Sequence, residues 1–232
     1  EEETNDWDRG LARIHDYLSQ DMVYANPMGL LTFLDNHDTD RFSKTQDQAL
    51  NFHRYRQSLT LLLTLRGIPQ LFYGDEIGME YMPELPSKEG GYNRTGSRTP
   101  MQWDASPNAG FTTGEPWLKV NPNYTKINVA AQENDPDSIL NYYRHMVQLR
   151  KREDVITDGD YQEILPERED LFCYRRSNGK ATLTVIANFT ANTVDFPAEI
   201  LLDAGEPELG NYSDWPKAGI LRPYEAVMYL HK

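Results

Sequence analysis

The chain has one cysteine, Cys173, in 232 residues. A single thiol cannot close a disulfide within the chain or build a thiolate metal cluster, so a disulfide-stapled scaffold and a cysteine-ligated metal centre are both excluded. Long apolar runs are missing too: none approaches the roughly 20 residues that a membrane-spanning helix needs. Positive charge is scarce, with 23 Lys and Arg against 36 Asp and Glu and a net charge of −13. Binding a polyanion requires Lys and Arg clustered on one face, so nucleic acid is excluded as a partner and a neutral or polar ligand is favoured. The opening Glu1, Glu2, Glu3, Thr4, Asn5 has neither the basic nor the apolar region of an export signal. With the lone cysteine suited to a reducing compartment, this gives the expectation of a soluble, cytoplasmic protein without a membrane partner. His15, His53 and His145 fall on predicted helices with no second ligand at metal-binding spacing, so no metal or other cofactor is expected.

What the sequence does have is a 39% hydrophobic content, enough for a packed core, arranged in two distinct patterns. Trp7, Leu11, Ile14 and Leu18 predict a helix over residues 6–20, residues 30–34 a buried strand, and residues 46–65 a second helix that Gly67 and Pro69 stop. Residues 68–74 are the next strand. Helix, strand, helix, strand is the order of parallel β/α units. Residues 75–135 then run for about 60 residues without a periodic element, which marks a functional loop or small insert. Asp135-Pro136-Asp137 opens a further helix reaching about Arg152. Beyond residue 155 the pattern changes to short alternating runs at 161–165, 171–176, 181–188, 193–196 and 225–230, with turn residues such as Ser177-Asn178-Gly179 between them. Two domains follow: residues 1–154, built from β/α units with an active-face loop at 75–135, and an all-β domain over 155–232.

Chemistry concentrates where the run Leu31-Thr32-Phe33-Leu34 ends in Asp35-Asn36-His37-Asp38. A β/α strand packs its body inside and presents its C-terminal tip to substrate, so Asp38 and His37 are the first candidates. Asn-x-Ser/Thr sequons at Asn93, Asn123, Asn188 and Asn211 are read as coincidence in a chain this rich in Asn, Ser and Thr.

Four stretches carry a resemblance to a known family. Leu34-Asp35-Asn36-His37-Asp38 is similar to the fourth conserved region of the α-amylase superfamily, glycoside hydrolase family 13, at the end of the seventh barrel strand. The segment from Arg66 to Met79 resembles the eighth strand and its loop, Ser97-Arg98-Thr99-Pro100-Met101-Gln102-Trp103-Asp104 with Asn108-Ala109-Gly110-Phe111 resembles the α-glucosidase loop, and residues 135–150 resemble the last barrel helix. The resemblance implies the C-terminal part of a (β/α)8 TIM barrel followed by an antiparallel β-sandwich domain. It also implies a retaining α-glucosidase of the oligo-1,6-glucosidase kind. Trp117 to Tyr124 points that way, whereas Thr39-Asp40-Arg41-Phe42 is more similar to neopullulanases and maltogenic amylases, so an α-1,4-active enzyme stays open.

Carried onto this chain, the family pattern makes Asp38 the carboxylate that stabilises the transition state, with His37 and Arg98 binding substrate. Retaining cleavage needs a nucleophile and an acid about 5–5.5 Å apart; by resemblance both belong upstream of Glu1, so this chain alone is expected to be inactive. Arg98 could instead tether its loop, Arg41 reads as a structural partner to nearby acids, and Asp75-Glu76 reads as rim support. Trp103 and Phe111 could stack on sugar or form the private core of their loop. The expected partner is an oligosaccharide; unpaired barrel edges also suggest self-association. Calcium is left open for a longer enzyme. A non-catalytic glucan-binding or assembly module is the remaining reading.

Overall fold

Leu11, Ile14 and Leu18 form one stripe of α1, Leu11–Ser19, with Leu11 and Leu18 buried. The computed structural model describes residues 11–43, 48–88, 90, 93–217 and 219–232. The expected start of the first helix at 6–10, Trp7 included, and residues 46–47 of the second lie outside the described residues, as does the side chain of Leu50. Elements are numbered in chain order. Strands β1, Leu31–Thr32, and β2, Ile68–Pro69, flank α2, Gln48–Thr64. Leu30 O accepts from Ile68 N and Thr32 O from Gln70 N, each at 2.8 Å, so the hydrogen bonds ascend in both strands and the pair is parallel. The predicted β/α unit is present with shorter ladders than its apolar runs suggested, each strand having one neighbour among the described residues.

The chain divides into two compact units, one made of Glu1–Leu30, Leu63–Ile68 and Leu149–Lys232, the other of Leu31–Leu62 and Pro69–Gln148. In the first, β3 (Asp160–Ile164), β4 (Leu171–Ser177), β5 (Thr182–Asn188), β7 (Glu206–Gly210) and β9 (Ala226–His231) make an antiparallel sheet of spatial order β3-β4-β5-β9-β7. The two-residue strands β6, Val194–Asp195, and β8, Ile220–Leu221, pair separately.

Strand β4 is buried on both faces. Leu171 and Cys173 pack with Phe196, Ile200 and Leu221, while on the opposite face Phe172 meets His15 edge-on at 5.7 Å and Tyr174 OH meets Thr64 Oγ1 at 2.5 Å. Fully burying a side chain such as Phe172 contributes roughly 1.5–3 kcal/mol. Arg176, on that second face and fully buried, donates to Gly159 O at 2.7 and 3.1 Å and to Thr64 O at 2.9 Å, which satisfies its charge with backbone carbonyls. Two strands escaped the sequence pattern. Strand β7 contains Pro207 and carries a register shift between Pro207 and Leu209, the edge position and bulge where a strand tolerates proline; β8 is two residues long and has no periodicity to detect.

The second unit gives the 75–135 excursion a core of its own, built from Ile77, Met79, Met101 and Leu140. Its secondary structure is slight: short 3-10 turns and α3, Val129–Glu133. Gln102, fully buried, holds it together by donating to Asn123 Oδ1 at 3.1 Å and to Ile127 O at 2.5 Å. Helix α4, Ile139–Arg152, follows, with Tyr142 OH 2.5 Å from Thr60 Oγ1 of α2. The short helix α5, Asp154–Asp158, leads into β3.

Candidate active site

Just past β1 the backbone turns under the control of its own side chains. Asn36 Oδ1 accepts from Asp38 N at 2.7 Å, and Thr39 Oγ1 accepts from Asn36 N at 3.0 Å. Such local bonds let Asn and Thr build a turn without a ladder. Asp35 caps the far side, its Oδ2 accepting from Phe42 N at 2.6 Å. The turn throws His37 and Asp38 outward, with side chains 63% and 52% exposed and His37 Nε2 3.5 Å from Asp38 Oδ2.

The Thr95–Ser97 turn and Arg98 lock onto this projection. Ser97 Oγ donates to Thr39 O, Arg98 Nε to His37 O at 2.8 Å, and Arg98 Nη2 to Asp38 Oδ1 at 3.1 Å. Arg94 comes closer still, its Nη1 2.6 Å from the same oxygen. The structure therefore brings together all three sequence candidates, Asp38, His37 and Arg98, and adds Arg94, which lies 56 residues from Asp38 in the chain. Nothing in a Tyr-Asn-Arg-Thr loop signals that neighbour. The hydrogen bond from Arg94, aided by the charges of His37, Arg94 and Arg98, holds the Asp38 carboxyl below the usual carboxylate range, so it is ionised at neutral pH. An exposed, ionised carboxylate with one oxygen engaged by cations can accept from a ligand hydroxyl on the other.

Behind this surface lies a carboxyl pair of different character. Asp35 and Asp75 are in hydrogen-bond contact and buried beside one cation, the fully buried Arg41. Burial pushes both carboxyls up, Asp75 to about 8, with the neighbouring Asp35 charge adding to the effect. Arg41 Nη1 donates to Tyr73 O at 2.9 Å and lies 3.5 Å from Asp75 Oδ1, and its guanidinium covers the rings of Phe72 and Tyr73 at 4.6 and 4.9 Å. Arg41 and Asp75 thus work inside the fold. Glu76 separates from its neighbour, accepting from Gly74 N at 2.7 Å beside a hollow that Arg98 also lines.

Trp103 and Phe111 are both half exposed, and Trp117 is 64% exposed. The aromatics are therefore not the private core of their loop, a role filled by the aliphatic side chains described above. Cys173 is fully buried, and burial pushes its thiol up to about 12, which makes it unreactive. The sequon side chains are engaged inside the fold: Asn188 and Asn211 are fully buried, Asn93 donates to Leu85 O at 2.8 Å, and Asn123 to Glu80 Oε2 at 2.9 Å. Among the described residues no three His, Cys, Asp or Glu side chains are grouped to hold a metal, and no helix is long and apolar enough to cross a membrane.

Residues 3–159 match the family model of the α-amylase catalytic domain. The chain is 37% identical to an oligo-1,6-glucosidase of Heyndrickxia coagulans, over 85% of this chain and 40% of that enzyme. It is 34% identical to the trehalose-6-phosphate hydrolase of Escherichia coli (strain K12), over 85% of this chain and 42% of that protein. Among solved structures, a trehalulose synthase superposes with a TM-score of 0.82 at 30% identity, covering 95% of this chain and 47% of that one. The chain thus spans about two fifths of the length of the curated relatives it matches. A match over residues 3–159 and a shared fold at 30% identity converge: the chain belongs to the α-amylase family, glycoside hydrolase family 13.

Proposed function

We propose that this chain is the C-terminal part of a retaining α-glucosidase of the oligo-1,6-glucosidase kind, acting on short α-linked glucans. The observation that carries the reading is the exposed, ionised Asp38 at a strand tip, oriented by Arg94 and Arg98 and flanked by His37. In this role Asp38 accepts hydrogen bonds from sugar hydroxyls. Those bonds tighten as the ring flattens and positive charge develops at the anomeric carbon, so the carboxylate binds the transition state more strongly than the ground state. His37 donates to a hydroxyl of the same sugar, and Arg98 closes the pocket while fixing Asp38.

The nucleophile and the general acid are assigned to the part of the protein outside this chain. Asp35 and Asp75 do touch, but both are buried behind Arg41 and cannot reach a sugar. Residues 1–154 are read as the end of the catalytic barrel and 155–232 as the following β-sandwich domain. Exposed Leu31 and Phe33 on and just after β1 fit a barrel strand whose remaining neighbours lie in that other part, and left uncovered they favour self-association.

Glucose release from isomaltose and maltose tests this reading, measured on the chain and on a longer protein that contains it. The expected result is turnover of isomaltose by the longer protein, loss of it in Asp38→Asn, and none by the chain alone. Glucose release by the chain itself would overturn the placement of the nucleophile and acid.

A further inference from the structure

Asn178-Gly179, in the turn between β4 and β5, is the one Asn-Gly pair in the chain. An asparagine followed by glycine is open to attack on its own side-chain amide, because the next peptide nitrogen and Cγ close a five-membered ring and glycine has no Cβ to stand in the way. A fold can block this by engaging the nitrogen. It does so at the related pair Asp158-Gly159, where Gly159 is buried and its N donates to Val155 O at 3.2 Å. At Gly179 the nitrogen is left available. Gly179 is exposed, holds a φ of +77° with open space where a Cβ would stand, and its N–H makes no hydrogen bond among the described residues.

The amide under attack is held by its own turn. Asn178 Oδ1 accepts from Lys180 N at 3.1 Å and from Ala181 N at 3.0 Å, while Nδ2 donates to Asp158 Oδ1 at 3.3 Å. When a nitrogen adds to Cγ, negative charge collects on Oδ1, where two backbone N–H groups already stand at oxyanion-hole distance. The contact to Asp158 fixes which end of the amide faces the turn. Asn188 shows that such donors alone are not enough: its Oδ1 accepts from Thr190 N at 2.8 Å, but the following nitrogen, that of Phe189, is tied to Asp170 O at 2.8 Å.

We infer that Asn178 is a self-modification site, at which the Gly179 nitrogen attacks Asn178 Cγ and the folded turn promotes the reaction. The Gly179 N–Cγ bond forms and the Cγ–Nδ2 bond breaks. The proton lost by Gly179 N passes through solvent to Nδ2, which leaves as ammonia. One water then opens the resulting five-membered imide without any change of oxidation state. Opening at the side-chain carbonyl gives aspartate, and opening at the backbone carbonyl gives isoaspartate, whose main chain runs through the extra methylene. Either product sets a carboxylate beside Asp158 where Nδ2 had been a donor, and isoaspartate lengthens the path between Ser177 and Thr182, which face each other across the hairpin. Like charges at such a position destabilise, so the modification loosens the β4–β5 turn and adds one negative charge to the chain.

Incubation of the full chain at mildly alkaline pH, followed by peptide mapping in a mass spectrometer, tests the inference against the same chain held unfolded in urea. The mass gain of an amide-to-acid exchange is expected in the peptide carrying Asn178, with isoaspartate among the products, at least as fast in the folded chain as in urea. Asn178→Gln, which would need a six-membered ring, should abolish the gain. Lys180→Pro removes one of the two N–H donors to Oδ1 and should slow conversion about tenfold, below the roughly hundredfold loss where such a donor sits in a dry enzyme site. Conversion in urea that the folded chain does not show, or an unchanged rate in Lys180→Pro, would overturn the inference.

Discussion

Arg94 Nη1 lies 2.6 Å from Asp38 Oδ1, nearer than the 3.1 Å of Arg98 Nη2, although only Arg98 stands in the recognisable Ser-Arg-Thr-Pro-Met stretch. Two guanidiniums on one carboxylate oxygen divide the labour: the closer fixes the charge, and the farther ties it to the loop through His37 O.

The first expectation is therefore a ranking of pKa effects. Replacing Arg94 by Ala should raise the Asp38 carboxyl toward its ordinary 3.8 more than replacing Arg98 does, because the Arg94 hydrogen bond is the largest influence on it and the Arg98 charge the smallest. Carboxyl carbon chemical shifts followed through an acid titration would measure both. A larger rise in Arg98→Ala would reverse the assignment.

The buried Asp35–Asp75 pair makes stability depend on pH with a definite sign. Asp75 titrates at about 8 when folded, against 3.8 for an ordinary Asp, so between those values the folded state holds a proton that the unfolded chain has released. Its contribution is fully present below pH 3.8 and is lost as pH rises through about 8, at a slope of at most about 1.4 kcal/mol per pH unit. Asp75→Asn mimics the protonated form and should flatten this dependence. Denaturant midpoints at pH 5 and pH 8 should differ less in the variant than in the parent.

Gly96 offers a test of the loop that carries both arginines. A Cβ there would lie 2.4 Å from Met82 O and 2.7 Å from the Tyr81 ring, contacts that backbone cannot relieve cheaply. Gly96→Ala should cost roughly 1–3 kcal/mol by overpacking and displace Arg94 and Arg98 together. Thermal unfolding should fall, and the Asp38 titration should move up as in Arg94→Ala. An unchanged Asp38 would show that the loop does not position the arginines.

Within the second unit, the 2.5 Å bond between Thr60 Oγ1 and Tyr142 OH joins two helices in a dry setting, where burial pushes the Tyr142 hydroxyl up to about 12. Tyr142→Phe should lose about 1 kcal/mol, since Thr60 keeps its bond to Arg56 O and the ring still faces the Arg56 guanidinium at 4.2 Å. A chevron or equilibrium urea experiment would read the change. A loss above about 3 kcal/mol would mean that the hydroxyl, not the ring, organises this contact.

Much of this molecule could be read from residue order. Apolar spacing placed α1, α2 and α4, alternation placed β3, β4, β5 and β9, and the abrupt polar ending of the run at Leu34 located His37 and Asp38, because each of these signals is local. Strand β7 was hidden by Pro207 and its acidic neighbours, since an edge strand with a bulge needs no strict alternation. Arg94 was hidden for a different reason: a guanidinium in an ordinary polar loop acquires a role only from what the fold sets against it. The same holds for the acidic dipeptide Asp75-Glu76, whose members part company because the 3-10 turn Asp75–Ile77 sends one side chain inward to Arg41 and the other to the hollow that Arg98 lines. Sequence alone determined which chemistries were available and where the chain changes grammar. Tertiary structure decided which charges are paired, which carboxyl is ionised and which aromatics face solvent, because those properties depend on distance and burial between residues far apart in the chain.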